Sequence, residues 1–242
     1  MNRYTEKKRL TLLRLADTYK KIAMPVRFIL FICLLFTGCF SYAQALPFAD
    51  EINKFRHTDS IQPPAQNEIL FVGSSSFTKW TDIQQYFPAH KIINRGFGGS
   101  RLLDVIMYAD DVIFPYHPKQ IVIYCGENDI AYVDTVSAQT VANRFITLFE
   151  IVRSVWDTVP IAFVSIKPSP SRDKFRPVVV DANNLIKNFL GAKKAAAFID
   201  VYSKMLAADG NPMPDIFIED RLHMNAKGYA IWQQAIEPYL VK

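Results

Sequence analysis

The chain has 242 residues, half of them hydrophobic and 21% charged, with 9 Gly, a composition that fits one compact domain and excludes a disordered or low-complexity chain. Its formal charge of +5 is unevenly spread: up to Ala45 there are eight basic residues against two acidic, whereas from Leu46 onward 20 basic residues face 21 acidic ones. A domain that grips phosphate backbones keeps its positive balance in the folded part, so the charge does not point to nucleic acid as a partner.

Residues 1–45 have the layout of a secretory signal peptide. A basic region ending at Arg27 precedes the uncharged run from Phe28 to Phe40, and Ala43 and Ala45 stand at −3 and −1 of a cut before Leu46. The basic region is long, and Met24-Pro-Val-Arg27 makes a more usual start. Two other readings stay open. Residues 28–49 carry no charge and are long enough to span a bilayer uncleaved, and Leu35-Phe-Thr-Gly-Cys39 resembles a lipoprotein box that lipidates Cys39. All three readings make the protein exported, whether periplasmic, secreted or envelope-associated, and the last two attach it to a membrane through its N-terminus. Past the leader Cys125 is alone, so the domain contains no internal disulfide and must rely on its core.

Residues 46–67 read as a lead-in with a short helix near Asp50–Arg56, and residues 68–242 as one domain. Within it, short apolar runs predict five strands: Ile69 to Val72, Lys91 to Asn94, Gln120 to Cys125, Ile161 to Ile166 and Ala196 to Ile199. They are mostly β-branched or aromatic without polar alternation, as strands buried on both faces are. Between the third and fourth, Val141, Phe145, Leu148, Phe149 and Val152 share one face of a helix. Similar stretches fall at Leu102–Asp111, Val179–Leu190 and Ala226–Tyr239. This alternation predicts an α/β fold, a three-layer α/β/α sandwich around a central, mostly parallel five-stranded sheet. In such sheets ligands sit beyond the carboxyl ends of the strands.

Four segments fall at such ends: Gly73-Ser-Ser-Ser76, Asn94-Arg-Gly-Phe-Gly-Gly99, Gly126-Glu-Asn-Asp129 and, near the end of the chain, Asp220-Arg-Leu-His223. Singly each has a plain explanation. Ser residues cap helices, Asn and Asp shape turns, and Gly96 to Gly99 lacks the third glycine of a dinucleotide fingerprint. Together they supply the parts that acyl transfer needs, namely a nucleophilic hydroxyl, a base, a carboxylate to orient the base and donors for an oxyanion.

Their order, and longer strings such as Ile69-Leu-Phe-Val-Gly-Ser-Ser-Ser76, Ile93-Asn-Arg-Gly-Phe-Gly-Gly-Ser100 and Leu222-His-Met-Asn-Ala-Lys-Gly-Tyr229, resemble the SGNH (GDSL-type) hydrolases over essentially Glu68 to Tyr239. The resemblance implies that family's flavodoxin-like fold and a serine esterase without cofactor or metal. It implies Ser75 as nucleophile, His223 as base and Asp220 as its orienting partner, with an oxyanion hole made by the backbone N–H groups of Ser75 and Gly99 and the side-chain amide of Asn128. Ser74 stands where the family usually has Asp. The substrates expected are small O-acyl esters, O-acetyl groups on glycans among them. A catalytically idle carbohydrate-binding or surface-assembly protein of the same fold is the alternative.

Other residues carry less. Arg101 either reaches an acidic or hydroxylated substrate or pairs a carboxylate. His57, His90 and His117 have no partners at ligand spacing, which argues against a metal. Cys125 and at least two of Trp80, Trp156 and Trp232 are expected in the core. Residues 167–177, rich in Pro, Ser and charge, are expected as a loop too polar for the core that borders the site.

Overall fold

The computed structural model describes residues 46–132 and 135–242. The leader, with its cleavage, anchor and lipidation readings, lies outside the described residues; among these, no helix is long and apolar enough to cross a membrane. The domain spans Pro47–Lys242.

Five strands form one sheet: β1 (Ile69–Gly73), β2 (Ile92–Gly96), β3 (Gln120–Tyr124), β4 (Ile161–Val164) and β5 (Ala196–Ile199). Their order is β2-β1-β3-β4-β5 and every pairing is parallel. The order reverses between β1 and β3, which places the switch point, and hence the natural crevice, at the carboxyl ends of those two strands.

Alternate side chains divide the interior into two layers, as the period of a strand requires. Leu70, Val72, Ile121, Ile123, Ile161 and Phe163 enter one apolar cluster, while Ile69, Phe71, Val122, Tyr124, Ala162 and Val164 enter the other. Over the first layer lie α1 (Ala49–Ile61), α4 (Leu102–Met107), α5 (Ala109–Val112), α7 (Ala138–Val155) and α8 (Arg176–Gly191). Helix α7 begins where the Ser137 hydroxyl accepts the Thr140 N–H at 3.2 Å, and it buries Val141, Phe145, Leu148, Phe149 and Val152. Over the second layer lie the short α2 (Ser75–Thr78) and α3 (Ile83–Tyr86) together with α9 (Ala226–Ile236).

The second layer fixes the two ends of the domain to each other. Trp80 stacks on Tyr229 with ring centroids 4.7 Å apart, and the Tyr229 hydroxyl donates to the Ser76 carbonyl at 2.9 Å. Those contacts join α2, which begins at Ser75, to α9, which follows His223.

Two expectations need correction. The helix expected over Leu102–Asp111 is two helices that break at Tyr108, whose hydroxyl donates to the Pro47 carbonyl at 2.6 Å and whose ring packs edge-on against Phe97. The segment after β4 is not uniformly superficial: Lys167 is 1% exposed and Ser169 4%. A buried ammonium is tolerated only where an anion meets it, and Glu127 does so. Cys125, Trp80 and Trp232 are fully buried, as expected.

Candidate active site

Ser75 comes directly off the end of β1, at the first position of α2. Gly73 makes that exit possible: a Cβ there would lie 1.9 Å from the Tyr124 carbonyl oxygen of β3, so only glycine lets the two strand ends close up.

His223 arrives from a tight loop closed by the antiparallel bridge between Phe217 and Met224. Within it the Ile218 N–H donates to the His223 carbonyl at 2.9 Å, and Arg221 adopts a left-handed φ of 54°. Asp220 Oδ1 accepts the N–H groups of Leu222 and His223 at 2.9 and 2.8 Å, and its Oδ2 lies 2.6 Å from His223 Nδ1. Burial opposes the charge on Asp220, but the hydrogen bonds from the His223 side chain and from the two backbone N–H groups outweigh it and hold the carboxyl down at about 2. The ionised carboxylate therefore accepts a hydrogen bond from Nδ1–H, which keeps the proton on that nitrogen and leaves Nε2 to face the Ser75 hydroxyl at 3.0 Å. The chain separation between those two side chains is 148 residues.

On the other side of Ser75 lie the prospective oxyanion donors. The N–H groups of Ser75 and Gly99 are spent on no acceptor among the described residues. Gly99 has a φ of +86°, which strains any side-chain-bearing residue; a Cβ there would otherwise meet only the Phe48 ring, at 3.7 Å. Asn128 is the second residue of α6 (Glu127–Tyr132). Its Nδ2 donates to Ser74 Oγ at 2.7 Å and to the Ser100 carbonyl at 3.0 Å, and its Oδ1 accepts from Arg172 Nη2 at 3.0 Å. The five expected site residues, Ser75, Gly99, Asn128, Asp220 and His223, are thus brought to the crevice between β1 and β3, with Ser74 turned onto the Asn128 amide. Both amide protons already have acceptors, so an oxyanion must share or displace one of them.

The residues on either side of Asn128 are buried acids, which the sequence did not single out as a pair. Glu127 accepts from Lys167 Nζ at 2.6 Å, from Ser169 Oγ at 2.6 Å and from the Tyr124 hydroxyl at 2.8 Å. Burial opposes its ionisation, yet the charges of Lys167 and Arg172 and the bonds from Lys167 and Ser169 prevail, and its carboxyl sits below the ordinary range. Asp129, wholly buried, accepts the Leu102 N–H at 2.9 Å and Arg144 Nη1 at 2.7 Å. For Asp129 burial wins, and its carboxyl is pushed up. One acid ties Asn128 to the segment after β4, and the other ties it to the start of α4, which follows Gly99.

Arg101 pairs with Asp104 through Nε at 2.9 Å, which is the expected carboxylate pairing, and stacks on the Tyr132 ring at 4.4 Å. Among the described residues no group of three or more His, Cys, Asp or Glu could hold a metal ion. A cleft of about 320 Å³, its open mouth included, is lined by Glu127, Lys167, Arg172, Val179 and Tyr202 but by neither Ser75 nor His223. Arg172, which donates to Asn128 Oδ1, stands in its wall.

The parallel sheet thus carries a hydroxyl, an imidazole and a carboxylate in hydrogen-bond sequence at its switch point. The chain belongs to the GDSL-like lipase/acylhydrolase family, whose sequence model matches residues 69–231. Among solved structures it is similar to a Streptococcus pneumonia protein described in terms of platelet activating factor, with 21% identity, 90% of this chain and 99% of that one covered, and a TM-score of 0.69. It is also similar to a GDSL-like lipase from Bacteroides thetaiotaomicron, at 17% identity, 78% and 96% coverage and a TM-score of 0.65. A third similar structure is a catalytic mutant of an acetylxylan esterase from Geobacillus stearothermophilus, at 15% identity, 72% and 94% coverage and a TM-score of 0.57. These identities carry the fold alone. Comparison with curated proteins gives no match.

Proposed function

We propose that the protein is a serine esterase that removes small O-acyl groups, O-acetyl groups on carbohydrates first among them, through an acyl-enzyme on Ser75. The observation that carries this reading is the 3.0 Å contact between His223 Nε2 and Ser75 Oγ, with Asp220 on the far side of the imidazole. In this mechanism Ser75 Oγ attacks the ester carbonyl while Nε2 takes its proton. The oxyanion forms against the N–H groups of Ser75 and Gly99 and the Asn128 amide. The imidazolium then protonates the leaving alkoxide, and water, deprotonated by the same nitrogen, releases the acid and restores Ser75. Acetylated glycan as substrate is supported by the similarity to an acetylxylan esterase and by the exported destination that the leader implies.

The test is hydrolysis of p-nitrophenyl esters from acetate to octanoate, followed by acetylated xylooligosaccharides, by the wild type, Ser75→Ala and His223→Ala. Acetate is expected to be the best chain length, with turnover lost in both variants. A folded wild type no more active than Ser75→Ala on every substrate overturns the reading in favour of a binding role.

A further inference from the structure

The Asn128 amide sits in an asymmetric electrical setting. Its oxygen accepts a proton from a guanidinium, that of Arg172, while its nitrogen faces two neutral acceptors, the Ser74 hydroxyl and the Ser100 carbonyl. A cation on the oxygen of an amide draws electron density toward that oxygen and makes the N–H groups stronger donors, an effect that is large where water is scarce. Arg172 also stands 3.8 Å from Glu127. Glu127 is already met by Lys167 at 2.6 Å, so Arg172 is not its sole counter-charge, and the cluster Lys167, Glu127 and Arg172 carries a net positive charge. With Ser at 74, no carboxylate stands against the amide nitrogen to cancel that excess.

We propose that Arg172 is a positioning residue for the esterase reaction: it fixes which way the Asn128 amide faces and polarises it toward the developing oxyanion. Its own place on the chain suits this work. Arg172 interrupts the 3-10 segment Pro170–Phe175 with φ −118° and ψ 20°. That segment is tied to the catalytic loop, because the N–H and the hydroxyl of Ser171 both donate to the Arg221 carbonyl at 3.1 Å. The segment after β4 thus reaches the oxyanion side through Arg172 and the base loop through Ser171. Without Arg172 the amide keeps the two acceptors of its nitrogen but loses the cation that anchors and polarises its oxygen, so it is held less firmly and donates more weakly.

The inference rests on the esterase reading, and its test separates the two. Steady-state kinetics on p-nitrophenyl acetate are measured with the full chain as wild type, Arg172→Met, Asn128→Ala and the double variant. Loss of a whole oxyanion donor costs about 10² to 10³ in kcat, so Arg172→Met, which only misaligns and weakens one, is expected to cost about ten- to a hundredfold. KM is expected to stay within about threefold, since the lost interaction belongs to the transition state. In the Asn128→Ala background the same substitution is expected to change kcat by less than about twofold, because its target is gone. Arg172→Lys, which keeps the charge but not the planar fork, is expected to fall between wild type and Arg172→Met, and its own cycle with Asn128→Ala decides the matter if the Met variant does not fold. Three outcomes overturn the proposal: an unchanged kcat, an effect confined to KM, or a loss that persists in full without Asn128. Activity of Ser75→Ala equal to wild type overturns the esterase reading itself, whatever the Arg172 variants do.

Discussion

The two sides of Ser75 are built in opposite ways. Toward Asn128 the protein is dry and charged: Lys167 and Glu127 form an ion pair whose side chains are 1% and 9% exposed, and the Asp129 side chain is fully buried against Arg144. Toward His223 it is thin and wet: the Asp220 side chain is 42% exposed, and nearly all of its hydrogen bonds lie inside a four-residue loop. The difference matches what each side does in the proposed reaction. Oxyanion donors act by being fixed before charge develops, and fixing them requires partners that cannot relax. A base must gain and lose a proton and let water in, so local bonds that orient it are enough.

The comparison can be broken at either end. Of the variants that tell the two sides apart, Asp220→Asn on the base side is expected to have the largest effect: kcat should fall by about 10⁴, as loss of the orienting carboxylate does in serine hydrolases, while thermal unfolding moves little because the group is near the surface. A large drop in melting temperature would show that the loop is structural after all. Lys167→Met on the oxyanion side should do the reverse. It strands the Glu127 carboxylate in the interior and is expected to lose about 3–5 kcal/mol of stability, read by denaturant unfolding.

A pH series sharpens the contrast. Because the Glu127 carboxyl is depressed in the folded protein, its contribution is fully present above the ordinary carboxylate value of 4.5 and is lost as pH falls through the lower, folded value. The raised Asp129 works with the opposite sign, but it does so equally in wild type and in Glu127→Gln. The stability advantage of wild type over Glu127→Gln should therefore be constant near neutrality and shrink only below about pH 4.5. An advantage independent of pH would mean that the Glu127 charge contributes nothing.

The fold was largely legible. All five strands lie within two residues of the runs that predict them; β1, β3 and β4 are buried throughout and leave an unbroken apolar signature, while the edge strands β2 and β5 are only partly buried. The residues brought together at the switch point were legible because each sits at a strand end or in one short loop. The wiring behind Asn128 was not. Glu127 and Lys167 lie 40 residues apart and meet only because β3 and β4 are neighbours in the sheet. The one available signal was a Lys directly after an apolar run, and it reads as a surface loop until its partner is known. The break at Tyr108 was hidden for a similar reason, since it depends on a carbonyl of the lead-in.

The span of 148 residues between Ser75 and His223 also bears on how the protein comes into being. The serine leaves the ribosome well before the histidine, which follows 148 residues later on a loop steadied by α9. A nascent chain therefore carries a hydroxyl with no base until almost the whole domain has been made, and no fragment ending before the loop can hydrolyse anything by this route. Recovery of activity during refolding accordingly reports closure of the complete domain, not collapse of its first half.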